Sequence, residues 1–154
     1  MMISSRARGF TLIEITVALS VIGILFFAAL PPFANFLGAL ELNAVARGIV
    51  SDLRLAQSQA MTGRTTVKAA FFPKTILGAP AAYILKKFDV FKASEKTVKK
   101  VTLRPKDDFV GEVTIIFASS GYPPPGGSGT IKLKDSGART KKIIVSSAGR
   151  IRVE

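Results

Sequence analysis

The chain has 154 residues, which suits one compact domain plus one membrane-length segment. It holds neither cysteine nor histidine, which excludes disulfides, thiol nucleophiles and Cys-ligated metal, and removes the commonest general base. Its net charge of +12 comes from 22 basic and 10 acidic residues, and Arg6 and Arg8 ahead of the apolar run supply little of it. The folded part is therefore basic and suits nucleic acid, anionic lipid or an acidic protein, although such a surface can also serve solubility alone.

Residues 1–9 read as a short basic leader ending in Gly9. Residues 10–30 form an apolar run that, as a helix rising ~1.5 Å per residue, spans ~30 Å, the thickness of a bilayer core. Thr16 and Ser20 can bond back to the helix backbone, as can Thr11. Arg6 and Arg8 favour a cytoplasmic N-terminus, with the remaining chain across the membrane. A secretory signal peptide would need a small-residue cleavage site after the run, and Ala28-Ala29-Leu30-Pro31-Pro32 is a poor one. Neither a signal peptide nor a plain anchor explains Glu14, because an unpaired carboxylate in a bilayer costs on the order of 3 kcal/mol. Pro31 breaks the bonding of the preceding turn, which either kinks the helix or ends it.

Residues 31–63 read as an amphipathic continuation of the helix. Phe33, Phe36, Leu37, Leu40, Ala44, Val45, Ile49, Leu53, Ala56 and Ala60 fall at helical spacing on one stripe, suited to packing on a sheet. Glu41, Arg47, Asp52, Arg54, Gln57 and Gln59 largely fall off it. Gly63 is the expected terminator. From there to residue 154 the period is two. Strands are expected at 65–72, 81–88, 97–103, 112–118, 130–134 and 141–146, with a short strand or tail at 150–153. Residues 104–108 and 119–129 read as loops, the latter rich in proline and glycine. The fold class is α+β: a long N-terminal helix, membrane-spanning in its first half, packed on an antiparallel β-sheet.

Gly9-Phe10-Thr11-Leu12-Ile13-Glu14 resembles the prepilin motif of type IV pilins and type II secretion pseudopilins. The resemblance implies that a prepilin peptidase cuts after Gly9 and that Phe10 is then N-methylated. It implies that Glu14 neutralises the terminal ammonium of a neighbouring subunit, and that Pro31 marks a helix kink. Three looser stretches are similar to the GspH/FimT group of minor pilins and pseudopilins: Leu53 to Ala60, Ile116 to Gly121 and Ile143 to Arg152. Residues 73–110 match least. Major pilins usually carry a C-terminal disulfide loop, so the missing cysteines favour a minor subunit. The implied protein is pilin-like, not an enzyme and without a cofactor or metal. Its implied place is the inner membrane, single-pass, with the C-terminal domain in the periplasm, or a pilus or pseudopilus after assembly. Its implied partners are other pilin or pseudopilin subunits, the prepilin peptidase and inner-membrane lipid.

The last residues are basic: Lys132, Lys134, Arg139, Lys141, Lys142, Arg150 and Arg152. In the FimT branch a Gly-Arg-x-Arg segment is implicated in DNA uptake, and Gly149-Arg150-Ile151-Arg152 matches it. Arg150, Arg152, Lys141, Lys142 and Arg139 are thus the candidate contacts to double-stranded DNA, provided that they share a face. Secretion pseudopilins end in similar segments, and lysines on a sheet edge also block unwanted strand pairing. Lys86, Lys87, Lys92, Lys96, Lys99 and Lys100 read as a solvated face. Two tyrosines, Tyr83 and Tyr122, are too few for a base-stacking platform.

Overall fold

A computed structural model describes residues 10–75, 78–89 and 94–154, with their side chains except those at 29–32, 34, 35 and 89. The chain divides into two units, Met1–Leu37 and Gly38–Glu154. One helix, α1 (Leu12–Thr62), runs through the boundary.

In the second unit the buried face of α1 is Leu42, Ala46, Ile49, Leu53, Ala56 and Ala60. The spacing of three and four is as expected, but the stripe starts later than the sequence suggests. Phe33, Phe36, Leu37 and Leu40 are exposed, as is Ala44. Asp52, expected off the stripe, is buried. Its carboxylate accepts from the Tyr83 hydroxyl at 2.6 Å and the Lys99 ammonium at 2.7 Å. A buried carboxylate is tolerable there because both oxygens are bonded and one partner is a cation.

The strands are β1 (Thr66–Phe72), β2 (Ala82–Asp89), β3 (Ser94–Thr102), β4 (Asp107–Phe109), β5 (Val113–Phe117), β6 (Gly129–Asp135), β7 (Thr140–Val145) and β8 (Ile151–Val153). They form two four-stranded antiparallel sheets, ordered β3-β2-β1-β5 and β4-β6-β7-β8. Alternation sends one side of each strand inward. Val67, Ala69, Phe71, Tyr83, Leu85, Ile115 and Phe117 from the first sheet join Phe109, Ile131, Leu133, Ile143 and Val145 from the second in one core with α1. The stretch 104–108, read as a loop, contributes the start of β4. Asp107 and Phe109 point inward from it, and Phe109 meets the Phe71 ring edge-on at 5.3 Å.

The helix ends in a Schellman motif, with Thr65 N–H bonding Ala60 C=O at 3.1 Å and Arg64 N–H bonding Met61 C=O at 3.3 Å. The left-handed residue is Arg64, at φ 45°, and not Gly63. Gly63 is needed for room: a β-carbon there would lie 2.8 Å from Lys87 Nζ and 2.9 Å from Gln59 O.

The three looser sequence stretches meet at Gln57. Its side-chain amide donates to Gly121 C=O at 2.8 Å and to Gly149 C=O at 3.4 Å. Both glycines have positive φ, 81° and 71°. A β-carbon on Gly121 would strike Met61, and one on Gly149 would strike Gln57. The spacing of these motifs is thus the cost of tying the helix, the proline-rich loop and the β7–β8 turn together.

Candidate functional site

The described part of the first unit opens on a helix start that the motif resemblance does not imply. Thr11 and Glu14 form a capping box. Thr11 Oγ1 accepts from Glu14 N–H at 3.3 Å, while Glu14 Oε2 accepts from Thr11 N–H at 2.9 Å and from the Thr11 hydroxyl at 3.0 Å. The signal was present as Thr-x-x-Glu before an apolar run. Glu14 thus has partners inside its own chain and is held at the helix start, where the helix dipole favours negative charge. Thr16 and Ser20 bond back to the carbonyls of Leu12 and Thr16, each at 2.8 Å, as expected.

Beyond these bonds the segment makes no polar side-chain contact among the described residues. Phe10, Leu12, Ile13, Ile15, Val17, Leu19, Val21, Ile22, Ile24, Leu25, Phe26 and Phe27 are all exposed. Phe10, Glu14, Ala18 and Ile22 follow one another at steps of four and share one flank with Ile15 and Leu19. So Glu14 is the single charge on an apolar ridge with Phe10 beside it. Among the described residues no helix is long and apolar enough to cross a membrane. The apolar stretch with described side chains stops at Ala28, just short of the ~20 residues that a bilayer requires. Gly9, the expected cleavage site, lies outside the described residues. At Pro31 the chain stays within α1.

The candidate basic residues do not all share one face. Lys132 faces Lys142 across β6–β7, and Ile144 faces Arg152 across β7–β8. By strand alternation Lys132, Lys134, Lys142 and Arg152 lie on the outer face of the second sheet, all exposed. None of them has an ion pair among the described residues. Arg150 joins Arg152, Ile144, Ser146 and Glu154 around a shallow pocket of about 190 Å³.

Lys141, one residue out of phase with Lys142, sits opposite the buried Leu133 and is only half exposed. Arg139 is committed elsewhere. Its guanidinium donates to Asp135 at 2.7 Å and covers Gly38 where a β-carbon would stand. This hydrogen bond holds the Asp135 carboxyl below its ordinary range. Directly across from Asp135 lies Asp107. Its Oδ2 is buried and has no hydrogen-bond partner among the described residues. Burial first, and then the Asp135 charge, push the Asp107 carboxyl up. Glu41 of α1 pairs with Lys106 and Arg104, and the Lys106 hydrogen bond holds it below the usual carboxylate range.

The other basic group is also divided. Lys86 and Lys68 share Glu95 at 3.0 and 3.6 Å, and Lys99 takes Asp52. Lys92 lies outside the described residues. Tyr83 is buried on Asp52, whereas Tyr122 is exposed, with its ring against Gly149.

A long helix whose later turns carry two antiparallel sheets, and whose earlier turns present apolar side chains and one acid, defines a pilin-like protein. The fold agrees with solved structures of such proteins. The type IV minor pilin FimU of Pseudomonas aeruginosa superposes with a TM-score of 0.57 at 17% identity, over 77% of this chain and 92% of that one. The minor pseudopilin EpsH of the Vibrio cholerae type 2 secretion system gives 0.53 at 14% identity, over 74% and 96%. In sequence, the pilin-like protein PilA1 of Thermus thermophilus is 26% identical over 160 aligned positions, 96% of this chain and 98% of that protein. Residues 4–30 match the prokaryotic N-terminal methylation motif. Residues 45–149 match the type II transport protein GspH, and the chain belongs to that family of minor pilins and pseudopilins. The methylation motif marks a prepilin-type N-terminal anchor in the membrane. The family is one of structural subunits that assemble with other pilins.

Proposed function

We propose that the chain is a minor pseudopilin of a type II secretion system, or the equivalent subunit of a type IV pilus, and that it supports protein secretion by joining a filament through α1. A prepilin peptidase cuts after Gly9, and Phe10 becomes the methylated N-terminus. The C-terminal domain lies in the periplasm while the apolar segment sits in inner-membrane lipid. Pro31, which lacks an N–H, is the point at which the helix yields when it packs among neighbours.

The observation that carries this reading is Glu14, the one charge on an exposed apolar ridge that begins at Phe10. The cap from Thr11 leaves a full negative charge. The terminal ammonium of a neighbouring subunit would neutralise it, and two desolvated charges cost less together than apart. The test is Glu14→Ala expressed with the other subunits: it should insert in the membrane at normal level and be absent from sheared filaments. Incorporation at the wild-type level would contradict the role given to Glu14.

A second reading has its own support. Lys132, Lys134, Lys142 and Arg152 are exposed on one sheet face, unpaired among the described residues, with Arg150 at its end. Such an array can hold the phosphates of double-stranded DNA without reading sequence, as uptake in natural transformation requires. A gel shift of the full chain in non-ionic detergent at low and raised salt tests it. Salt-sensitive binding lost in Lys142→Gln/Arg152→Gln but kept in Arg139→Gln supports DNA uptake. Absence of binding at low salt removes it.

A further inference from the structure

We propose that the groove between the end of α1 and the β2–β3 hairpin is a docking site for carboxylates on an acidic partner protein. It goes beyond assembly through the N-terminal helix and uses no residue of it. The groove encloses about 480 Å³ and is lined by Gln59, Thr62, Gly63, Lys87, Lys96, Thr97 and Val98. Lys87 and Lys96 stand directly opposite one another in the β2–β3 register. Like charges so placed weaken a sheet. The neighbouring lysines avoid the cost: Lys68 and Lys86 share Glu95, and Lys99 takes Asp52. Lys87 and Lys96 have no such acid among the described residues.

A helix end explains one of the two. The last turn of α1 carries no basic residue, and an ammonium beside that end offsets the helix dipole. Lys87 is seated there, with Gly63 leaving the space for its Nζ. Lys96 has no comparable structural duty. The groove is therefore lined by two ammonium groups, the hydroxyls of Thr62 and Thr97 and the amide of Gln59, each a donor to anions that enter it.

The occupant is an acidic protein surface and not a second copy. The chain carries +12, and nearly all of it belongs to the second unit, since Arg6, Arg8 and Glu14 are the only charges before Gly38. A copy would bring the same charge. It also has few acids to offer: Glu41, Asp52, Glu95 and Asp135 are ion-paired, and Asp107 is buried. Charge complementarity thus selects an acidic partner.

The probe is a fluorophore-labelled peptide of ten glutamates, titrated against the full chain in non-ionic detergent and followed by anisotropy. Lys87→Gln/Lys96→Gln should weaken binding about tenfold, while Arg47→Gln/Arg54→Gln, which removes the same charge from exposed positions on α1, should weaken it less than about twofold. Gly63→Ala keeps both lysines but displaces Lys87, and should weaken binding with the fold intact by circular dichroism. Equal weakening in the two double variants, or no binding by the wild type, overturns the proposal. So does loss of phosphatidylglycerol-vesicle binding in Lys87→Gln/Lys96→Gln while the peptide still binds, since the groove would then serve lipid phosphate. None of these results bears on incorporation through Glu14, so the two readings fail independently.

Discussion

Asp107 and Asp135 face one another across β4–β6 and illustrate how one pair of identical side chains divides its roles. Asp135 has the Arg139 guanidinium and the Ser136 hydroxyl, so its carboxyl is held low. A carboxyl held low stabilises the fold at neutral pH, and that contribution is lost as pH falls through its lowered value. Asp107 has the opposite sign. Its carboxyl is pushed up by burial and by Asp135, so the fold bears the cost of ionising it at neutral pH and is relieved of that cost on acidification. Asp107→Asn, which keeps shape without charge, should therefore melt at a higher temperature than wild type at pH 7. The advantage should vanish near about pH 3, where wild-type Asp107 is protonated as well. A variant less stable at pH 7, or an advantage that persists unchanged in acid, would show that Asp107 is bonded in a way this geometry lacks. Neither aspartate could be assigned from sequence. Lys106-Asp107-Asp108 reads as a polar loop, because burial of a charge is decided by a strand whose paired residue, Asp135, lies far later in the chain.

At the scale of elements, α1 shows why its beginning was misread and its end was not. From Phe33 to Ala60 the apolar residues continue one helical pattern, yet among the described residues burial begins at Leu42. The earlier ones, Phe33, Phe36, Leu37 and Leu40, are exposed. One hydrophobic pattern serves two environments, and periodicity alone cannot mark where they change. Leu53→Ala should cost ~2–5 kcal/mol in chemical unfolding as a buried truncation, whereas Leu40→Ala should stay within ~0.5 kcal/mol. Similar losses at both would restore the longer stripe.

Strand positions were legible because period two survives in Thr66–Phe72 and in Gly129–Asp135, where buried and exposed residues alternate. The division into two sheets was not. It depends on β5 returning to pair with β1 and on β4 pairing with β6, choices between strands that sequence spacing leaves open. Within the site, the placing of Phe10 and Glu14 on one helix flank was legible from the motif's spacing alone. The basic residues were legible only as a list. The alternation of Lys141 and Lys142 and the capture of Arg139 by Asp135 then removed two members from the shared face.

The whole molecule is a basic sheet domain, Gly38–Glu154, joined in sequence to a segment that exposes a row of apolar side chains. That row is a liability in water. It is useful in lipid or against other helices, and the N-terminal methylation motif over residues 4–30 implies the same use. The central claim is that this segment is a processed assembly helix and not a signal peptide or an inert anchor. Its most direct test is the intact mass of the protein after co-expression with a prepilin peptidase. The expected product is a chain beginning at Phe10 and carrying one added methyl group. A chain still beginning at its leader, or one cut beyond the apolar run near Ala29, would contradict it.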